Sequence, residues 1–351
     1  MAGGLVALDE KGVEYSVIST SGAGVLIGLL YAAPDGKGTA KELRREALKK
    51  PIDMSINDLI YNFMDWFWFY PANYKVFHKP GALAELYTRF AQMLPKTEGR
   101  TEAERFFNDS VDLVLSIFCP TDLGPWSRGM CQPPPFINQV VDFEKLRSFD
   151  GHFYMNAYCL EDKKIELFKK DKITAEHFQA SLSLPLIYKC FELNGKHYIE
   201  GSAVDTICYE AVLGELYEPA EGHKMVKDFR GRESPDRYRL KEGAPAVDTL
   251  VLFDMLGHKE LIHEPRHALD ALSQLIIVPL TALTEDDTAL FVAKYKQKYP
   301  GLELIGIPVD LHGEEWKESL EWRYSNAKLL FERGYEQASK VYEKNKGRLA
   351  P

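Results

Sequence analysis

The chain has 351 residues, 45% of them hydrophobic and 27% charged, with a formal net charge of −9. That is ordinary globular composition, enough for one large domain or two small ones, and the acidic balance without any strongly basic block argues against general nucleic-acid binding. Five cysteines, at 119, 131, 159, 190 and 208, form no C-x-x-C pair and read as reduced thiols rather than a disulfide framework or zinc site. The first residues show no signal peptide and no apolar run reaches the length of a membrane span, so a cytoplasmic location is expected.

Residues 14–20 (EYSVIST) are rich in Tyr, Val, Ile and Ser and predict a short, largely buried strand. Ser21-Gly22-Ala23-Gly24 is a turn of small residues, and the apolar run 25–33 reads as a buried helix. A strand, a tight turn and a buried helix are the context of a nucleophile elbow or a phosphate-binding turn, because backbone N–H groups at the helix start point at a ligand. Three readings of the turn stay open. Ser21 is a nucleophile with the Gly22 N–H helping to hold an oxyanion. Alternatively, Gly22, Gly24 and Gly28 form a loosened dinucleotide loop, which needs a second strand ending in an acid about 20 residues on; the charged 39–48 segment looks helical instead. The third reading is that the glycines only let the helix pack close to a sheet.

Further along, Thr39-x-x-Glu42 and Thr101-x-x-Glu104 are capping-box matches for helices over about 39–49 and 101–118. Ser55 is the expected cap of a helix to about residue 70, with an apolar stripe at Ile56, Leu59, Ile60, Phe63 and Phe67. Trp66 and Trp68 lie off that stripe, so this helix is either buried on both sides or an apolar lid. A helix is expected at 81–94, and a Pro/Gly-rich loop at 119–136, where Trp126 is an anchor. Strands are expected at 153–159 and 165–168, a helix capped by Thr174 to 181, and a hairpin of 191–193 with 197–199 turned by Asn194-Gly195. A helix at 204–213, a polar surface loop at 215–246 and a strand at 249–254 follow. Helices at 267–275 and 284–299, a strand at 302–307 and a terminal helix at 314–344 complete the chain. Strands alternating with helices imply an α/β architecture with a mainly parallel sheet. His263 and His267 have a metal-site spacing, but Pro265 between them breaks a shared helix face, so no metal site is expected.

Three segments together resemble the patatin-like phospholipase family, especially its bacterial branch. Ser19-Thr20-Ser21-Gly22-Ala23 sits where that family has its G-x-S-x-G elbow. Residues 141–146, Asn156-Ala157, 173–175 and 180–185 look like its middle region, which closes with a G-x-x-Y-x-D-G-G/A turn, here Gly195 to Ser202. Ser325-Asn326-Ala327 and residues 332–336 resemble its terminal helix. The resemblance implies a three-layer α/β fold over 1–351 as one domain, with a helical insertion or lid at 34–136 and a C-terminal helix over 313–351. It implies a serine hydrolase of the lipase, esterase or phospholipase type that uses a Ser–carboxylate dyad without histidine and without a cofactor. The implied substrate is an acyl ester or phospholipid, met at a membrane surface or lipid droplet. Carried over, Ser21 is the nucleophile, Glu200 stands where the family has its catalytic Asp, and Asp205 is the alternative base. Trp66, Phe67 and Trp68 would line an acyl site.

The chain departs from the family pattern at several positions. The outer glycines of the elbow are Ser19 and Ala23. Glu200 is one methylene longer than Asp, about 1.5 Å, and a misplacement of that order costs about 100-fold in rate. The family's first strand and Gly-rich oxyanion loop precede the segment matched by Gly3-Gly4-Leu5-Val6, where this sequence begins. Three expectations follow: a shortened start, substitution by Gly3 and Gly4 together with Gly22, or an inactive fold that binds lipid or a protein partner.

Overall fold

The structure, a computed structural model, describes residues 1–64, 101–118, 137–185, 188–227, 231, 233–245, 247–253, 258–265, 268–291, 293, 298–299, 301–309, 311–312, 315 and 321–349. The expected helix at 81–94, the loop at 119–136 and the aromatic run at 65–70 lie outside the described residues.

Helix α1 (Ala2–Glu10) leads into strand β1 (Val17–Thr20), the small-residue turn, and helix α2 (Gly24–Ala32). β1 pairs in parallel with β2 (His152–Cys159), from Val17 opposite His152 to Thr20 opposite Met155. β2 also forms a hairpin with β3 (Lys164–Lys169) and runs antiparallel to β5 (Lys196–Glu200), which pairs with β4 (Phe191–Leu193). The turn between β4 and β5 has positive φ at both Asn194 (53°) and Gly195 (76°), the conformation that suits the right-handed twist of a two-residue hairpin. A separate parallel pair joins Thr249–Phe253 to Glu303–Ile307. The chain is α/β with helices flanking the sheet, as expected. Among the described strands only these two pairs are parallel, and the rest pair antiparallel.

The strand period of two divides β2 cleanly. Phe153, Met155, Ala157 and Cys159 enter a core shared with Leu29 and Leu30 of α2 and Phe178 of the helix Ala175–Ser181. Tyr154 faces a second core built with Val212, Leu213 and Leu216. Asn156 is therefore the polar residue on the Tyr154 side of a strand buried on both faces. Gly28 of α2 fits against β1 because any Cβ there would overlap Thr20 and come within 3.1 Å of Phe153. Of the three readings of the glycines, close packing therefore applies at Gly28. The segment after α2 is the helix Ala40–Asp53 with the expected capping box, so the second strand that a dinucleotide loop requires is replaced by helix.

Several boundaries differ from the sequence expectation. Asn57, not Ser55, caps the helix Asp58–Met64: its Oδ1 accepts from the N–H groups of Leu59 (3.0 Å) and Ile60 (3.4 Å), whereas the Ser55 hydroxyl donates back to Ile52. The two cap-type residues are two positions apart, and Asn57 wins because its own N–H also donates to buried Asp109 (2.8 Å) of the helix Glu102–Phe118. Asn57→Ala should lower stability by about 1–2 kcal/mol, read as a shifted urea midpoint. The expected loop at 215–246 contains two short antiparallel ribbons, Tyr217–Pro219 with Tyr238–Leu240 and Met225–Lys227 with Glu233–Pro235. Tyr217 and Tyr238 both pack on Tyr299, at 4.7 and 4.9 Å between ring centroids, which anchors the first ribbon. The two helices expected between 267 and 299 include one continuous helix, Ala268–Leu290, that runs through Pro279. Thr284 does not cap a new helix; its hydroxyl donates to Leu280 within this one (2.8 Å). The terminal helix spans Tyr324–Lys344 and packs along α1.

Candidate active site

β1 and β5 run in opposite directions along the same edge of β2, whose other edge is paired with β3. The first ends at Thr20, opposite Met155, and the second at Glu200, opposite Ala157. The residues that follow, Ser21 and Gly201, thus arrive head-on at the level of Asn156. This register brings two turns 180 residues apart into one place.

Gly22 makes the closest link between them. Its φ is +54°, a conformation that disfavours any side chain, and a Cβ there would overlap the Glu200 carboxylate and lie 2.8 Å from the Ser202 hydroxyl. The Glu200 carboxyl is therefore packed directly against the residue after Ser21. It is only 8% exposed, and burial pushes it up to about 7, partly offset by the hydrogen bond that Ser202 Oγ donates to Glu200 Oε1. Near neutral pH such a group exchanges a proton readily, which suits a general base.

The Ser21 hydroxyl donates to the backbone carbonyl of Asp205 (3.0 Å), not to a carboxylate. The Asp205 side chain faces the other way, accepting from the N–H of Cys208 (2.6 Å). That contact, with Cys208 held in the left-handed region at φ 60°, delays the helix expected at 204–213 to Tyr209–Leu216. Asn156 Nδ2 donates to the same Asp205 carbonyl (3.1 Å). Burial, followed by the charge of Asp205, pushes the Cys208 thiol well up and leaves it a poor nucleophile.

Gly24 N–H donates to Ser21 O and Val25 N–H to Gly22 O, both at 3.0 Å. The N–H groups of Gly22 and Ala23 precede these at the start of α2. Gly3 and Gly4 lie in the first turn of α1. Their small size is demanded by packing, since a Cβ on Gly3 would overlap Phe331 O and one on Gly4 would come within 2.7 Å of Phe253. The start of α1 also approaches α2: Met1 Sδ would be 3.8 Å from a Cβ on Gly24.

A family model for patatin-like phospholipases matches residues 1–213, the segment that contains every element of this site. The chain belongs to the patatin-like phospholipase family. No curated protein matches it. Among solved structures, the crystal structure of VipD from Legionella pneumophila aligns over 98% of this chain and 64% of its own, with 11% identity and a TM-score of 0.35. The chain thus spans under two thirds of that neighbour's length.

Within this patatin-like chain the turn after Ser21 and the turn after Glu200 are adjacent. Trp66, Phe67 and Trp68 lie outside the described residues. The ring of His263 is engaged with Leu261 O (3.1 Å) and Gln274 (3.3 Å), and His267 lies outside the described residues. Cys159, Asp162 and Glu166 place potential metal-ligand atoms within 4.8 Å of one another. Their carboxylates are already compensated, Asp162 by Lys196 (2.8 Å) and Glu166 by the Tyr198 hydroxyl (2.7 Å). Sequence reasoning gave no role to Ser202 or Asn156. A single Asn within the buried strand HFYMNAYC was the available signal. Among the described residues no helix is long and apolar enough to cross a membrane.

Proposed function

We propose that the protein is a serine hydrolase that cleaves carboxylic esters of acyl lipids through Ser21 and Glu200. The observation that carries this reading is the contact of the buried Glu200 carboxyl with Gly22, beside Ser21 at the start of α2. A serine hydroxyl is a weak nucleophile until a base takes its proton. In the first step Ser21 Oγ bonds to the ester carbonyl carbon while Glu200 takes the hydroxyl proton. Glu200 then returns that proton to the leaving alkoxide as the carbon–oxygen bond breaks. Water, deprotonated by Glu200 in turn, releases the acyl group. The Gly22 N–H, with those of Gly3 and Gly4 in the first turn of α1, would hold the oxyanion, since helix starts present unpaired donors to negative charge. Acyl or phospholipid substrates would meet the enzyme at a cytoplasmic membrane surface or lipid droplet.

A fluorophosphonate probe should label the intact protein at Ser21, with hydrolysis of short and long p-nitrophenyl esters lost in Ser21→Ala. Labelling that survives Ser21→Ala overturns the assignment. Complete absence of labelling replaces the hydrolase with a patatin-fold binding protein, the reading suggested by the resting Ser21 hydroxyl bonding to a carbonyl instead of a base.

A further inference from the structure

We propose that Asn156 is a positioning residue that sets the separation of Ser21 and Glu200, a role that rests on the hydrolase reading above. Asn156 lies one residue beyond the partner of Thr20 and one before the partner of Glu200, midway between the ends of the two strands that deliver the site. It is fully buried, at 0% exposure, and its amide reaches both turns. On one side Nδ2 donates to the Asp205 carbonyl (3.1 Å), the acceptor that also holds the Ser21 hydroxyl (3.0 Å). On the other, the backbone of Gly201, next to Glu200, rests so close that a Cβ would overlap Asn156 Oδ1.

Packing alone does not favour an amide here. The strand is otherwise apolar or aromatic between Phe153 and Cys159. Asn156 Oδ1 has no hydrogen-bond partner among the described residues, and an unsatisfied buried acceptor is costly. A Val would suit a strand better and avoid that cost. The amide gives the site a two-sided spacer: one end fixes the carbonyl on which Ser21 rests, and the other stops Gly201 and so fixes how far Glu200 stands from Ser21. Without it both turns are free to shift, and a displacement of about 1 Å is worth about 100-fold in rate.

The test is the rate and end-point stoichiometry of fluorophosphonate labelling at Ser21 in wild type, Asn156→Ala and Asn156→Thr, with each variant's fold checked by its melting transition. Positioning predicts that labelling still reaches the wild-type stoichiometry but at a second-order rate constant lowered about 100-fold. A purely structural role would lower the stoichiometry, through loss of folded protein, and leave the rate constant per labelled site unchanged. That result overturns the proposal. Asn156→Thr keeps a strand-compatible side chain but is too short to reach the Asp205 carbonyl, so it is read by the same criterion if Asn156→Ala does not fold. If neither variant folds while wild type labels, Asn156 belongs to the core alone and the proposal fails. If wild type itself is not labelled, the hydrolase reading falls first, before any variant is compared.

Discussion

On the proposed mechanism Glu200→Gln should lower ester turnover by about 10²- to 10⁴-fold, the usual contribution of a general base, and at the same time make the protein more stable above pH 7. Both effects come from one buried carboxyl. In the proposed reaction the group must be ionised to accept the Ser21 proton, so the rate of hydrolysis or labelling should rise with pH and level off above about 7, the value to which burial pushes Glu200. The stability effect has the opposite sign. In the unfolded chain Glu200 ionises near its ordinary value of 4.5, whereas the native protein holds its proton up to about 7. Between these values the native state binds the extra proton, so stability falls as pH rises and then levels off. The gap corresponds to a penalty of about 3 kcal/mol, as an order of magnitude. Gln keeps the shape and can still accept from Ser202, but it never has to be charged. Urea unfolding of wild type and Glu200→Gln at pH 5 and pH 8 measures this directly. The two curves should nearly coincide at pH 5 and separate at pH 8, with the variant more stable. Equal stability at both values would mean that Glu200 ionises in the native state as easily as in water, and equal activity would remove it from the reaction.

Gly3→Ala should be among the most destabilising single-methyl additions in the chain, by about 3 kcal/mol or more, since overpacking against backbone leaves nothing flexible to yield. The added Cβ would overlap the Phe331 carbonyl oxygen and stand 2.8 Å from its carbon and 3.0 Å from Tyr335 N, so α1 and the terminal helix would have to move apart. Those two helices share the core of Ala7, Leu8, Ala338 and Tyr342 with the strand Glu303–Ile307. Gly214, inside the helix Tyr209–Leu216, supplies the control: a Cβ there meets nothing within 4 Å. Gly214→Ala should gain about 0.5–1 kcal/mol from helix propensity alone. A pair of urea curves with the two glycine variants on the same side of wild type would contradict the helix contact.

The strand, small-residue turn and helix over residues 17–32 were readable because their signals are local. A β-rich run, four small residues and an apolar run without Pro leave few alternatives, and the hairpin before Glu200 was announced by Asn194-Gly195. The capping boxes at Thr39 and Thr101 were likewise written in four consecutive residues, and both formed. The Ser21 hydroxyl bond was not readable, because its acceptor is a backbone carbonyl, which every residue carries, 184 positions away. The continuity of the helix Ala268–Leu290 through Pro279 was not readable for a related reason: a proline's local cost is visible in the sequence, while the burial of Ile277 before it and Thr281 after it is not. The short ribbons in 217–240 hid behind polar composition, since what orders them is Tyr299, a distant partner.

The parallel alignment of β1 with β2 joins Thr20 to Tyr154 across 134 positions, with the side chain of the first bonded to the carbonyl of the second (2.9 Å). Closing a loop of that size has a cost that grows only with the logarithm of its length, so doubling the intervening chain would cost only about 0.6 kcal/mol more. The pairing that places Ser21 is thus almost indifferent to how much chain lies between its two strands. The intervening chain can therefore be lengthened, shortened or exchanged while the turn at Ser21 stays aligned. Insertions and deletions in that stretch are thus a nearly neutral change for the stability of the strand pair that places Ser21.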